Sequence, residues 1–261
     1  MKWKGCLPLC LLALSAAAQS ALAQTPTGQP APDMAHESHH SLLFENSQVR
    51  VFSLKLGYNE SEFTRHEHEF LLVTLEDCQP AMWLEGEPPT IPGTLKKGWA
   101  NYLAGAWARG MRNDQKSICR FVVVEFLDLR ATMNAGTGYA GTGYAGNAGP
   151  SVDPAGKVDP AAKLIATVPL GTSYVTTAYL PHGEAIPARP TDIGELLIPI
   201  TDLDLKALDL KTEDDRHLRK SRDEVEWIEA GQASAWQSEG SVPARFVLVR
   251  FLAEDSLGSE R

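Results

Sequence analysis

An internal repeat at a spacing of 125 residues constrains the fold of this chain more than any other sequence feature. The segment RFVVVEFL at residues 120–127 recurs as RFVLVRFL at residues 245–252, with six of eight positions identical. Two further matches follow in the same order: residues 71–77 with residues 196–202 at the same spacing, and Ala104-Gly105 with Ala230-Gly231 at a spacing of 126. Three matched segments in one order indicate a duplicated domain.

Each copy has the pattern of β structure, with short runs rich in Val, Phe, Leu and Thr that are bounded by turn signals. The predicted strands lie within residues 49–56, 63–75, 121–127, 173–180, 195–200 and 246–252. Only the charged stretch at residues 214–224 lacks β character, and it is predicted to form a surface turn or a short helix. Many short strands separated by turns favour barrels or sandwiches, so we predict an all-β fold of two tandem barrels.

Low-complexity segments separate and flank the two predicted barrels. Residues 134–160 contain a direct repeat of GTGYA followed by three prolines, which is typical of a linker. The predicted organisation is a signal peptide (1–23), a flexible tail (24–40), a first domain (41–133), the linker (134–160), a second domain (161–254) and a C-terminal tail (255–261).

The first 23 residues have the pattern of a secretory signal peptide. Lys2 and Lys4 precede an apolar run over residues 6–18, and Ala21-Leu22-Ala23 forms a small-residue cleavage site. Cleavage before Gln24 leaves 238 residues and predicts export to the periplasm or the extracellular space. No later segment approaches the roughly 18 apolar residues that a membrane helix needs, so no membrane span is expected.

The charge balance argues against a nucleic-acid partner. The chain has 24 Lys and Arg against 33 Asp and Glu, a formal net charge of −9. Its basic residues cluster only at Arg216, Arg219 and Lys220, which is too little for a nucleic-acid footprint. The sequence also contains no phosphate-binding loop, no GxSxG motif and no HExxH motif, so these enzyme classes are not expected.

Two cysteines, Cys78 and Cys119, remain after signal-peptide cleavage. In an exported protein such a pair predicts a disulfide bond, because oxidising compartments preserve disulfides. The alternative is two buried free thiols, which pack as small hydrophobic groups. A metal role is less favoured because the pair lacks CxxC spacing.

The order of motifs in the first copy resembles that of the cupin domain, a small β-barrel of jelly-roll type. These motifs are Gly57, HEH at residues 66–68, a long apolar strand, Gly98-Trp99, Leu103-Ala104-Gly105 and the strand at residues 120–127. The second copy has LPHGE at residues 180–184, WIEAG at residues 227–231 and ARF at residues 244–246. The chain therefore resembles a bicupin, which implies that the two barrels pair within the chain and leaves homo-oligomers as an open alternative.

The resemblance implies a divalent transition metal held by two histidines of an HxH strand, a glutamate and a third histidine. His66 and His68 match the HxH pair, and residues two apart on a strand point to the same face. Apolar residues stand where the glutamate would fall, and Ala108 stands at the position of the last histidine. Two interpretations stay open: a weak metal site at His66 and His68, or a structural pair that holds no metal.

Neighbouring carboxylates are poor substitutes for the missing ligands. Glu69 would face away from the two histidines on a regular strand. Glu60 and Glu62 are predicted to lie on the preceding turn and could reach the site only if that loop folds inward. The second copy has Thr191 and Ile193 at the HxH positions and Ser234 at the last-histidine position. Any metal chemistry is therefore assigned to the first barrel.

Three residues near the predicted barrel mouth are candidate ligand contacts. Trp99 and Trp107 flank the Ala104-Gly105 turn, and Arg109 follows on the same segment. The other tryptophans are assigned to core packing, since aromatic side chains supply much of the buried area of a small barrel. The histidines at positions 36, 39 and 40 are interpreted as a solvated lead-in to the first strand, with metal binding as the alternative.

Two functions remain open at this stage. The favoured one is an exported, non-catalytic bicupin-like protein that binds an unidentified small molecule or serves as a structural or interaction module, because both metal sites are incomplete. The alternative is a metal-dependent cupin enzyme, of dioxygenase or isomerase type, with its site in the first barrel and its catalytic residues unidentified. The fold alone does not decide between them, since one fold hosts many activities.

Overall fold

Strands make up all the regular structure that is described in this chain. The computed structural model describes residues 31–127, 144–145, 164–170, 173–187, 193–208, 217–232 and 235–253. The predicted signal peptide and most of the predicted linker, with Thr191 and Ser234, lie outside these ranges. Within them, no helix is long and apolar enough to cross a membrane.

The first copy forms eight strands. They are β1 (His40–Glu45), β2 (Val49–Leu56), β3 (Ser61–His66), β4 (Phe70–Thr74), β5 (Ala81–Leu84), β6 (Ala100–Leu103), β7 (Trp107–Arg112) and β8 (Cys119–Phe126). A short strand, β9 (Tyr144–Ala145), pairs with β6. A sheet in the order β1-β2-β8-β4-β6-β9 and a sheet in the order β3-β7-β5 form barrel 1.

The second copy repeats this arrangement. Its strands are β10 (Leu164–Leu170), β11 (Ser173–Leu180), β12 (Ala185–Ile186), β13 (Gly194–Pro199), β14 (Leu203–Leu208), β15 (His217–Lys220), β16 (Glu226–Glu229), β17 (Ala235–Ser238) and β18 (Ala244–Phe251). A sheet in the order β10-β11-β18-β13-β16 and a sheet in the order β12-β17-β14-β15 form barrel 2. The prediction of two tandem all-β barrels is confirmed.

The strand register preserves the spacing seen in the sequence. In the first copy, Leu71 on β4 pairs with Val124 on β8. In the second copy, Leu196 on β13 pairs with Val249 on β18, and both residues lie 125 positions after their equivalents. Pairing two matched strands in the same register places equivalent side chains on equivalent faces. The repeat is therefore a duplication of structure as well as of sequence.

The terminal strand of each copy is apolar on both faces because each face packs into a different core. On β8, Phe121 and Val123 point into barrel 1, whereas Val122 and Val124 point into a second core that both barrels share. Side chains alternate between faces along a strand, so a strand buried on both sides has an almost continuous apolar run. On β18, Val247 and Val249 enter the shared core in the same way.

Reciprocal contacts at the edge of the shared core follow the repeat. Arg120 of barrel 1 forms an ion pair with Asp223 of barrel 2. Its equivalent, Arg245, lies against Gly98 of barrel 1, so close that a Cβ added there would be 2.7 Å from the arginine Nε. Gly98 and Asp223 are themselves 125 residues apart. The two barrels thus meet as a pseudo-twofold pair, with the same surface used on each side.

The charged stretch at residues 214–224 differs from its prediction as a turn or short helix. Within it, His217–Lys220 forms strand β15, which pairs with β14 at the edge of its sheet. Leu218 is buried opposite Leu205, while the flanking charged side chains remain at the surface. Charged residues are common on edge strands because they discourage pairing with other chains. The charged composition of this stretch is therefore compatible with an edge strand.

Candidate functional site

The strand β3 brings polar side chains into the interior of barrel 1. Glu62, Thr64 and His66 alternate with outward-facing residues, and all three are buried, at 6%, 0% and 4% exposure. This alternation is the normal period of a strand, and it means that β3 includes Glu62. The prediction that Glu62 lies on a turn preceding the strand is therefore wrong.

A cavity of about 330 Å³, measured to its open mouth, lies between β3, β7 and the larger sheet of barrel 1. Its polar lining comes from four side chains: His40, Glu62, His66 and Arg109. The remaining lining is mostly apolar and consists of Leu54, Phe70, Leu72, Met82, Leu103, Gly110, Met111 and Val123. Because this volume includes open solvent at the mouth, the enclosed room is far smaller and admits only a molecule of a few heavy atoms.

His40, the first residue of β1, lines this cavity, and the segment before it packs against barrel 1. Met34 is part of the barrel 1 core, and the carbonyl of Pro32 accepts a hydrogen bond from the amide of Arg65 on β3. Glu37 is nearly buried and accepts hydrogen bonds from the imidazoles of both His39 and His40. The segment thus packs against the barrel, in contrast to the predicted solvated lead-in.

Hydrogen bonds from the two histidines determine the charge of Glu37. Burial alone would raise its pKa, but the hydrogen bonds from His40 and His39 outweigh burial and lower the pKa to about 2. The Glu37 carboxyl is therefore ionised and already occupied by local partners.

Burial keeps His66 neutral. Desolvation is the main cause that lowers its pKa to about 3, and electrostatic interactions with His40 and Arg109 add to it. The ring stacks on Phe70 with 3.9 Å between centroids. Its Nδ1 atom is buried and has no hydrogen-bond partner among the described residues, which leaves one polar atom of the cavity unsatisfied.

Burial also keeps Glu62 protonated at neutral pH. Desolvation raises its pKa to about 8, the hydrogen bond from the Thr64 hydroxyl opposes this shift, and the negative charge of Glu37 adds to it. Glu62 is therefore a neutral carboxylic acid in the cavity wall over most of the physiological pH range.

Arg109 is the cation of the cavity. Its Nη2 donates to the carbonyl of Ala104 at 3.2 Å, and its Cζ lies 5.9 Å from the centroid of the Phe70 ring. Burial lowers its pKa, and a guanidinium keeps its proton in proteins. Its Nε is buried without a hydrogen-bond partner within the described part of the chain.

His66 and His68 do not share a site. The strand β3 ends at His66, and His68 lies in the following bend, outside the cavity lining. That bend is in close backbone contact with Gly105, where an added Cβ would lie 2.4 Å from the carbonyl carbon of His68. The same-face argument for an HxH pair needs a strand that continues through both histidines, and this strand does not.

The donor set of barrel 1 does not fit a resident metal ion. Within the described ranges, no group of three or more His, Cys, Asp and Glu side chains is arranged to hold a metal. Stable sites normally use at least three protein ligands. The cavity also contains the guanidinium of Arg109, whose positive charge opposes that of a bound cation.

Of the predicted ligand contacts, Arg109 alone lines the cavity. Trp99 packs against the apolar core of barrel 1, and Trp107 is 57% exposed at the first position of β7. Cys78 and Cys119 are joined by a disulfide bond, with their Cα atoms 5.5 Å apart. The sequence interpretation missed His40 and Glu62 as site residues, although the alternation over residues 61–66 carried the signal for Glu62.

The interior of barrel 2 is mostly apolar among its described residues, and Trp236 is completely buried there. It also has a buried ion pair: Glu195 and Arg250 are 2.6 Å apart on the strand faces that carry Leu197 and Leu248. The core residues are Ala178, Leu180, Ile186, Leu197, Leu203, Leu205, Ala207, Leu218, Ile228, Trp236, Ala244, Phe246 and Leu248. Ile193, one of the residues aligned with the HxH pair, packs instead against the shared core.

Several solved structures are similar to this chain in fold. A Pseudomonas aeruginosa protein named as glyoxylate-induced has a TM-score of 0.57 at 13% identity, covering 82% of this chain and 79% of the other. A variant of Bacillus subtilis oxalate decarboxylase has a TM-score of 0.55 at 8% identity, covering 82% and 72%. A cupin 2 conserved barrel domain protein from Leptotrichia buccalis has a TM-score of 0.50 at 9% identity, covering 85% and 92%.

At these identities the likeness defines the fold and leaves the activity open. The sequence matches no protein-family model and no curated protein. The chain has the cupin fold in two barrels, which confirms the resemblance found in the sequence. The solved structures with this fold include enzymes such as the decarboxylase.

Proposed function

We propose that this chain is an exported, non-catalytic bicupin-like protein that binds a small molecule in barrel 1. One observation carries the proposal: barrel 1 has a cavity lined by four polar side chains, in which Nδ1 of His66 and Nε of Arg109 have no hydrogen-bond partner among the described residues. A polar cavity inside a packed barrel costs stability, because buried polar groups lose their hydration. A binding role accounts for that cost without requiring a metal centre.

A metal-dependent enzyme of dioxygenase or isomerase type is the second candidate. His66 favours it, because a neutral buried imidazole with an unpartnered nitrogen is a suitable metal ligand. The second candidate requires further ligands from other molecules, such as water or substrate, to complete the coordination.

Metal content separates the two candidates. We expect purified mature protein to contain far less than one equivalent of any transition metal by elemental analysis. We also expect added Mn²⁺ or Zn²⁺ to change the midpoint temperature of thermal unfolding by the same amount in wild type and in His66→Ala. One equivalent of metal in wild type that is lost in His66→Ala and kept in His217→Ala, a change at an imidazole on β15, would favour the enzyme candidate instead.

Export is part of the proposal and has its own test. Protein recovered from the exported fraction should begin at Gln24, because the small residues before it form the cleavage site. Intact-mass analysis gives the start of the chain directly. A mass that retains residues 1–23 would contradict export and would weaken the argument that the disulfide forms in the cell.

A further inference from the structure

We propose that the barrel 1 cavity binds a short aliphatic monocarboxylate, with the carboxylate on the guanidinium of Arg109 and the alkyl group against the apolar wall. This inference rests on the proposed small-molecule function and names the chemical class of the ligand. It follows from the unpaired charge of Arg109, from the unsatisfied nitrogen of His66 and from the size and polarity of the cavity.

Arg109 carries a charge that the described residues do not neutralise. Its guanidinium has five N–H donors, yet one hydrogen bond, to the carbonyl of Ala104, is all that the described part of the chain provides. No carboxylate of the described residues lies within ion-pair distance of it. Arg109 is partly buried, and removing part of a cation from water without a counter-ion costs free energy. An anionic ligand would reduce this cost.

The other carboxyl groups near the cavity are not available as that counter-ion. Glu37 is held by His39 and His40, with 3.0 Å between its Oε2 and the Nδ1 of His40. Glu62 interacts with the hydroxyl of Thr64. The anion that pairs with Arg109 must therefore come from outside this set of side chains.

His66 provides a second donor at the same cavity. The residue is 4% exposed, lines the cavity, and has a buried Nδ1 atom without a partner among the described residues. A neutral imidazole protonated at Nδ1 can donate one hydrogen bond to a carboxylate oxygen. Arg109 provides the planar fork that matches the two oxygens of a carboxylate.

The remaining walls set the size and polarity of the ligand. Leu54, Leu72, Leu103 and Val123 present hydrocarbon surface, and the ring of Phe70 lies beside both polar donors. The enclosed part of the cavity is much smaller than the volume of about 330 Å³ that includes open solvent at its mouth, so it leaves room for a few heavy atoms only. A short alkyl chain with one carboxylate matches this lining better than a polyhydroxylated or multiply charged molecule.

Calorimetric titration of the full mature protein with propionate at pH 7 tests the inference, with propionamide as the neutral ligand of the same shape. We expect propionate to bind at least tenfold more tightly than propionamide. Arg109→Gln should weaken propionate binding at least tenfold, and Arg109→Lys should weaken it less. Arg112→Gln, on the same strand but paired with Asp114 outside the cavity, should stay within twofold of wild type.

The outcomes separate this inference from the proposed function. Equal affinity for propionate and propionamide, or unchanged propionate affinity in a folded Arg109→Gln protein, would overturn the carboxylate assignment and leave small-molecule binding intact. No binding of either ligand to wild type would overturn it as well. One equivalent of metal in the same preparation would overturn the non-catalytic function separately. Circular dichroism of each variant shows that it is folded, and Arg109→Lys keeps the test decisive if Arg109→Gln unfolds.

Discussion

Removing the disulfide by Cys78→Ala and Cys119→Ala together should lower the free energy of unfolding by about 4 kcal/mol, judged from chain entropy alone. The bond closes a loop with a sequence separation of 41 residues. This loop contains β5, β6 and β7, and therefore the strand that carries Arg109. Chemical unfolding followed by tryptophan fluorescence measures the loss.

Two comparisons make the disulfide prediction specific. Wild type unfolded in the presence of a reductant should show most of the same loss, because the chain then lacks the cross-link but keeps both sulfur atoms. The double variant should lose little more when reductant is added. A reduced wild type that is destabilised by less than about 1 kcal/mol would show that the bond contributes little to stability.

Replacing Glu62 by glutamine should stabilise the protein increasingly as the pH rises. The folded-state pKa of Glu62 is about 8, against an ordinary value of 4.5. Between these values the unfolded chain releases the proton while the folded chain retains it, so the wild type loses stability with each increase in pH. Glutamine has no proton to lose and can still accept a hydrogen bond from the Thr64 hydroxyl.

The expected difference between Glu62→Gln and wild type is near zero below pH 4.5 and reaches on the order of 4 kcal/mol at pH 8. Urea unfolding at pH 5, 6.5 and 8 gives this difference directly. Glu67→Gln, at an exposed carboxyl in the bend after β3, serves as the control and should show no such rise. A stability difference that stays constant with pH would contradict the burial of an uncharged Glu62.

The duplicated architecture could be predicted from the sequence because it depends on patterns that survive divergence. The repeat over residues 120–127 and 245–252 is carried by strands buried on both faces, and such strands tolerate few polar substitutions. The 125-residue spacing of the repeat also corresponds to the strand register in the two barrels, since Leu71 and Leu196 pair with equivalent partners. The cupin fold follows from the order of these segments, whatever residues line the barrels.

The candidate site could be predicted only in part, because it depends on where single strands end. His66 and Arg109 were identified, but the pairing of His66 with His68 assumed a strand two residues longer than β3. His40 was missed because the burial of its segment depends on contacts distant in sequence, such as Pro32 with Arg65. The pattern of apolar and polar residues along a short segment does not predict contacts with distant parts of the chain.

The shared core makes this chain the covalent equivalent of a dimer whose subunits have diverged. Each barrel presents one apolar sheet face to the other, with Val124 and Val249 at corresponding positions. Because both barrels belong to one chain, their association is intramolecular and has a fixed effective concentration. The pairing of the barrels therefore does not depend on the concentration of the protein. The interiors of the two barrels are therefore free to diverge while their pairing is preserved: barrel 2 has a completely buried Trp236 and a buried Glu195–Arg250 ion pair, whereas barrel 1 has the cavity around His66 and Arg109.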